Sequence, residues 1–141
     1  RHAHASKRDQ LLSMQYAANI NDAYATLKSP LNRATYLLKL HGMDLADDNS
    51  TDMDPEFLMQ QIDLREQLEA AQHAEDPEVE LDKVSSHLDR QMNAFQDEFR
   101  ESIAGSAEGS LDKAAEMVKK MQFIVKMQHE VERLEEELLD Y

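Results

Sequence analysis

Few residues of this chain could perform metal or acid-base chemistry, and they are poorly grouped. His2 and His4 in RHAHAS could share a metal ion, but two imidazoles alone make a weak site, and a frayed terminus is the commoner interpretation. The absence of cysteine removes disulfides, thiolate metal sites and cysteine nucleophiles. HExxH, a Glu-x-x-His pair and a glycine-rich phosphate loop are also missing. We therefore assign no catalytic residue, metal or cofactor, and predict a protein that is not an enzyme.

The most distinctive chemistry is apolar and lies in PEFLMQQIDLREQLE, residues 55–69. At about 100° per residue, Leu64 and Leu68 fall within about 40° of Phe57 and form one stripe. A second set falls about 100° to 240° away from Phe57. Its members are Leu58, Met59, Ile62, Asp63 and Glu66. Because a bundle helix needs one apolar stripe, the sequence predicts a second patch with an acidic border.

Another apolar residue lies off the stripe of the last helix. Phe123 points about 160° to 170° away from the direction of Met121 and Val125. If the two helices are neighbours, their off-stripe residues can form one binding surface. Alternatively, the helices pack together through these residues, or a second core layer uses them.

Composition and charge indicate the fold class and exclude some partners. Three glycines and three prolines in 141 residues, with few β-branched runs, predict an all-α protein. The net charge of −14 argues against nucleic acid and anionic membranes as partners. Residues 1–41 carry six Lys/Arg and two acidic residues, whereas 42–141 carry nine and 27, which indicates two pieces with different partners. No apolar run approaches the ~20 residues of a membrane span.

The helices that must position these residues are marked by their caps. Each proline follows a capping residue, in Ser29-Pro30, Asp54-Pro55 and Asp76-Pro77. A further start is expected at Ser110, and His41-Gly42 should end a helix. The predicted helices are 6–28, 30–40, 55–73, 77–104 and 110–139.

The last three predicted helices carry the stripes of an antiparallel three-helix bundle. One stripe consists of Leu81, Val84, Leu88, Phe95, Phe99 and Ile103, and the other of Leu111, Ala114, Val118, Met121 and Val125. The lysines of the last helix, Lys113, Lys119, Lys120 and Lys126, are expected to offset acidic neighbours.

Residues 19–40, NINDAYATLKSPLNRATYLLKL, follow the pattern I-N-x-A-Y-x-x-L-x-x-P-x-x-R-A-x-Y. This pattern resembles the third and fourth helices of a J-domain. With LLKLHGMDL, FLMQQIDLREQLE and KMQFIVKMQHEVERLEEELLDY, the likeness extends over essentially all 141 residues. The chain as a whole resembles the HscB family, J-type co-chaperones of iron-sulfur cluster assembly.

A J-domain stimulates its ATPase partner through a His-Pro-Asp loop between its second and third helices. The 141 residues contain no His-Pro-Asp. Counting back from Ile20, Arg1 falls immediately after the position of that tripeptide. We therefore expect an N-terminally truncated chain that lacks the segment which drives the chaperone.

The resemblance implies that the bundle binds the scaffold protein IscU and that the full-length protein delivers it to the ATPase chaperone HscA. The matching scaffold-binding positions are Leu58, Met59, Ile62, Asp63, Glu66 and Phe123. Ala70 stands where the family can have a further glutamate, a loss that should be tolerated because an exposed carboxylate mainly steers encounter. Truncating the best apolar anchors should cost about 1 to 2 kcal/mol or more.

The implied organisation is a C-terminal part of a J-domain at 1–42, an acidic linker at 43–54 and a three-helix scaffold-binding domain at 55–141. A monomer or weak dimer in the bacterial cytoplasm is expected, ahead of the mitochondrial matrix. The competing hypothesis is a structural bundle or coiled coil that oligomerises through the second apolar patch. A carboxylate-bridged metalloenzyme is disfavoured because the Glu/His spacing is missing.

Overall fold

Helices account for nearly all of the structure, a computed structural model that describes residues 2–45 and 53–139. Side chains are described for 7–20, 28–45 and 53–139. Within these ranges there are five helices and no strand, which confirms the all-α prediction. The helices are α1 (His2–Lys28), α2 (Pro30–Leu40), α3 (Pro55–Gln72), α4 (Pro77–Ala104) and α5 (Ser110–Leu139). α1 begins at His2, four residues before the predicted start at residue 6.

The capping chemistry predicted at the three prolines is present. Proline occupies the first turn of α2, α3 and α4, where its missing N–H is not needed. The capping bonds run from Asn32 N–H to Ser29 Oγ (3.3 Å), from Glu56 N–H to Asp54 Oδ1 (3.1 Å) and from Val79 N–H to Asp76 Oδ1 (3.4 Å). After α2, Gly42 has a φ of +84°, the left-handed conformation that favours glycine.

The three long C-terminal helices form an up-down-up bundle. α4 and α5 pack along their length as an antiparallel pair, and α3 packs against both. Gln128 Nε2 on α5 donates to Asp89 Oδ1 on α4 at 3.2 Å. The ring centroids of Phe57 and Phe123 lie 5.9 Å apart, so the start of α3 lies beside the middle of α5.

The predicted core stripes are largely buried. Leu81, Val84, Leu88, Phe99, Ala114, Val118 and Met121 are buried, whereas Phe95, Ile103, Leu111 and Val125 are half-buried against the core. The buried part of α5 is wider than the predicted stripe. It also contains Ala115, Met117, Ile124, Met127, Val131 and Leu134. The reason is that α5 contacts α2, α3 and α4, and so has neighbours over more of its circumference than one stripe covers.

The second helix joins the same core. Ala34 and Leu38 of α2 are buried, and α2 contacts both α4 and α5. Met43 and Met53, near the two ends of the predicted linker, are partly buried against the core. Residues 46–52 lie outside the described residues. The division into 1–42, 43–54 and 55–141 stays a prediction, with α2 packed directly on the bundle.

Candidate partner-binding surface

The third helix has one buried and one exposed apolar side. Phe57, Leu64 and Leu68 are buried towards α4 and α5. On the other side, Leu58 is 38%, Met59 66% and Ile62 57% exposed. Asp63 and Glu66 are exposed beside them. The two sides predicted from the helical count are therefore present, and the binding role of the outer side stays a prediction.

Phe123 is placed differently from the other candidate residues because it is half-buried and packs against the core. Its ring meets that of Phe57 edge to face, with 82° between the ring planes. The ammonium of Lys126 lies 5.8 Å from the centroid of the Phe123 ring. Packing between the two helices, the alternative left open by the sequence, thus buries part of the Phe123 side chain. Only the remainder of its ring is available to a partner.

Of the candidate residues of α3, Leu58 and Ile62 lie on the side of the helix near α5. Met59 and Glu66 lie on its outermost side, and Asp63 lies farther round, towards the cleft between α3 and α4. Arg65 acts electrostatically on Glu130 of α5, so α5 lies on the Arg65 side of α3. On the helical count, Leu58 and Ile62 lie about 20° and 60° beyond Arg65. They therefore border the junction with α5 that contains Phe123. We call the set Leu58, Met59, Ile62, Asp63, Glu66 and Phe123 the α3–α5 surface.

Charged groups farther along α5 form a network beside this surface. A hydrogen bond from Arg133 is the main cause of the lowered pKa of Glu130. Burial opposes it, and the positive charges of Arg133 and Arg65 lower the pKa further. The same hydrogen bond raises the pKa of Arg133, which also pairs with Glu137 at 2.6 Å. Because these groups are exposed to solvent, the network contributes little to stability. It fixes the charge pattern beside the apolar residues.

Open clefts occur elsewhere on the bundle. One of about 790 Å³ lies between the start of α2 and the pair α4 and α5, and another of about 430 Å³ lies between α3 and α4. Among the described residues, no group of three or more His, Asp or Glu could hold a metal ion. Within the same parts of the chain, no helix is long and apolar enough to span a membrane.

These features define the class of protein as an all-α helical bundle that carries an exposed apolar strip on one helix. Comparison with known proteins then identifies the family. The family model of the HSCB C-terminal oligomerisation domain matches residues 53–132, which include α3, α4 and most of α5. The chain belongs to the HscB family.

Relatives named as co-chaperones extend the similarity over nearly the whole chain. It is 43% identical over 138 residues to the co-chaperone protein HscB homolog of Vibrio cholerae serotype O1 (strain M66-2), covering 97% of this chain and 78% of the relative. The homolog from Shewanella pealeana is 38% identical over 138 residues, covering 98% and 79%. The solved structure of chaperone HscB from Vibrio cholerae matches with a TM-score of 0.77 and 39% identity, covering 97% and 78%.

Sequence reasoning missed one residue beside the α3–α5 surface. Lys120 on α5 was expected to be one of several lysines that offset acidic neighbours. It does contact two carboxylates, yet it is only 9% exposed and lies among aromatic rings. Its position between Met117 and Ile124, both buried, was the available signal.

Proposed function

We propose that this chain acts as a co-chaperone adaptor in iron-sulfur cluster biogenesis and binds the scaffold protein IscU through the α3–α5 surface. In the full-length protein, the J-type part would deliver the bound scaffold to the ATPase chaperone HscA and stimulate ATP hydrolysis. Membership of the HscB family supports this role. The bacterial relatives support a place in the bacterial cytoplasm.

The exposed aliphatic strip carries the proposal. Met59 and Ile62 are more than half exposed and Leu58 is 38% exposed, although the opposite side of the same helix is buried. A partner that covers them removes apolar surface from water, which is the main favourable contribution to most protein association. The supporting bundle is already folded, so little ordering of the helix is needed on binding.

The charges around the strip indicate which charged groups the partner would carry. Asp63 and Glu66 are exposed beside Ile62, so basic groups on the scaffold would face them. Such rim charges mainly speed encounter and fix orientation. The basic Lys126 over Phe123 lies on the α5 side, and the two sides of the surface therefore differ in charge. This difference would favour one orientation of the scaffold.

The test is a calorimetric titration of IscU into the chain and into a variant with Leu58→Ala, Met59→Ala and Ile62→Ala. These three residues are exposed, so the variant should stay folded, which circular dichroism checks. We expect Kd to rise at least about fiftyfold, because the three truncations together remove about 2.5 to 5 kcal/mol of apolar burial. Unchanged binding by a folded triple variant would show that the surface assignment is wrong.

The absence of His-Pro-Asp gives a second expectation. Since the 141 residues contain no such tripeptide, the chain should bind IscU without raising the ATPase rate of HscA. A steady-state ATPase assay, with a full-length J-protein as positive control, measures this. Robust stimulation by the 141-residue chain would contradict the role given to the missing loop.

Self-association through the α3–α5 surface is the second candidate function. The description of the matching family as an oligomerisation domain favours it, as does the exposed apolar strip itself. Sedimentation velocity separates the two. A stable dimer that dissociates in the triple alanine variant would favour the structural role, whereas a monomer that binds IscU favours the adaptor.

A further inference from the structure

One buried charge of the bundle has no part in the function proposed above. Lys120 lies in the buried part of α5, three residues after Met117 and four before Ile124, and is only 9% exposed. A lysine in such a position loses most of its hydration, which is costly unless its charge is compensated. The compensating groups therefore show what holds the side chain there.

The ammonium of Lys120 lies where three helices meet. It is 3.6 Å from Asp54 Oδ2, just before α3, and 3.6 Å from Glu116 Oε1 on α5. The ring of Phe57 on α3 lies 5.4 Å from the ammonium and that of Phe95 on α4 5.7 Å. A cation over aromatic faces is attracted to them, the more so when it is shielded from water. Lys120 thus contacts all three helices of the bundle.

The contact with Asp54 determines how α3 begins. While Oδ2 of Asp54 faces Lys120, Oδ1 accepts the hydrogen bond from Glu56 N–H that caps the helix. The Asp54 carbonyl accepts from Leu58 N–H at 3.0 Å. Lys120 therefore holds Asp54, the residue to which the first turn of α3 is hydrogen-bonded. That turn carries Leu58 and leads directly into Met59.

The same lysine lies one turn before Phe123 on α5. Because Phe57 contacts both the Lys120 ammonium and the Phe123 ring, the three side chains form one continuous group between α3 and α5. Both halves of the α3–α5 surface are thus attached to Lys120, one through Asp54 and the other through α5 itself. An anchored first turn presents its aliphatic side chains in one arrangement, which reduces the ordering needed on binding.

We propose that Lys120 is a positioning residue for partner recognition, holding the Asp54 cap of α3 against α5 so that Leu58 and Met59 are pre-arranged beside Phe123. This inference rests on the proposed function only for the identity of the partner. The anchoring itself is a property of the free chain. It can therefore be measured with and without IscU.

The test compares Lys120→Met, which keeps a long flexible stem without the charge, with Lys83→Met as a matched control. Lys83 is an exposed lysine of α4 that pairs with Glu80. In Lys120→Met we expect the Leu58 and Met59 amides to exchange hydrogen about tenfold faster, with Leu88 of α4 unchanged, because only the first turn of α3 is released. Kd for IscU should rise about three- to tenfold. Lys83→Met should change neither.

A second variant makes the test independent of how well methionine is accommodated. Asp54→Asn keeps an oxygen to accept from Glu56 N–H but removes the charge that faces Lys120. It should reproduce the faster exchange at Leu58, and adding Lys120→Met to it should increase that effect less than twofold, because two residues acting through one contact are not additive. Fully additive effects would show that Lys120 does not act through Asp54.

Two further results would overturn the inference. In the first, Lys120→Met and Lys83→Met have the same rate of hydrogen exchange at Leu58 and the same affinity for IscU. The other is a uniform loss of protection over α3, α4 and α5, which would show a purely structural role. If the unaltered chain fails to bind IscU, the proposed function fails, and the exchange measurements by themselves still decide the role of Lys120.

Discussion

The exposed fractions of the three aliphatic residues on α3 predict an order of effects on scaffold binding. Each side chain can lose to a partner only the surface that it still exposes in the free protein. Met59 is 66%, Ile62 57% and Leu58 38% exposed. Truncation to alanine should therefore weaken IscU binding most for Met59, less for Ile62 and least for Leu58.

The magnitudes follow from the free energy of burying a whole aliphatic side chain, about 1.5 to 3 kcal/mol. Scaled by the exposed fractions, full burial in the complex contributes about 1 to 2 kcal/mol for Met59, about 0.9 to 1.7 for Ile62 and about 0.6 to 1.1 for Leu58. Since about 1.4 kcal/mol is a tenfold change in affinity, Met59→Ala should raise Kd about five- to thirtyfold and Leu58→Ala about three- to sixfold.

The assay is isothermal titration of IscU into each single variant, with urea unfolding in parallel. Val79→Ala is the matched control, because Val79 is an apolar residue that is 46% exposed. It lies at the start of α4, near the end of α3, whereas Met59 lies 13 residues before that end, about 20 Å away along the axis of α3. The exposed variants should change the free energy of unfolding by less than about 0.5 kcal/mol. Leu64→Ala, on the buried side, should lower it by about 2 to 5 kcal/mol.

Two results would refute this reasoning. If Met59→Ala and Ile62→Ala leave Kd within twofold of the Val79→Ala value, the exposed strip is not the docking site. If the strip binds but Leu58 has the largest effect, exposed area in the free protein does not set the energetics. The partner would then reach Leu58 by rearranging the junction of α3 and α5.

Three further predictions concern stability, encounter and pH. Gln61→Leu should raise the free energy of unfolding by about 1 to 3 kcal/mol in urea, because buried Gln61 has no hydrogen-bond partner for Nε2 or Oε1 among the described residues. Combined Asp63→Asn and Glu66→Gln should slow association with IscU in stopped flow, more at low salt than at high salt, because rim charges steer encounter. Arg133→Gln should lower the thermal midpoint slightly at neutral pH. The lowered pKa of Glu130 provides stability above the ordinary glutamate pKa, about 4.3, that is lost as pH falls through the folded-state value. The difference in thermal midpoint should therefore shrink as the solution is made more acidic.

Each of these has its own control and contrary outcome. Gln67→Leu replaces an exposed glutamine of α3 and should leave the free energy of unfolding nearly unchanged. Equal effects at positions 61 and 67 would contradict the idea that the unpaired amide of Gln61 lowers stability. A salt-independent slowing of association would argue against steering by Asp63 and Glu66. A difference in thermal midpoint between Arg133→Gln and the unaltered chain that does not shrink as pH falls through the acidic range would show that Glu130 is not its source.

Local chemistry made several features of the fold predictable. The helix starts at Pro30, Pro55 and Pro77 follow from a capping side chain beside a residue without an N–H, a signal contained in two adjacent residues. The two sides of α3 follow from helical geometry, which fixes the direction of each side chain relative to its own axis. The resemblance to the HscB family also rested on residues that can be read directly.

Other features depended on which elements lie side by side. The core stripe of α5 was predicted too narrow, with Val125 inside and Ile124 outside, because a helix with three neighbours is buried over a wider arc. The helical count placed Phe123 off the core stripe, but only the position of α3 explains why it is half-buried and in contact with Phe57. Leu38 belongs to the same core only because α2 packs on α4 and α5.

The sequence by itself determined the helices, the all-α class and the presence of a second apolar side on α3. Those properties depend on side-chain types and on the repeat of one helix. Only the tertiary structure decided that Phe123 is shared between packing and surface, and that Lys120 is buried between Asp54, Glu116 and two aromatic rings. The physical reason is that burial and charge pairing depend on groups distant in the chain, which no local pattern specifies.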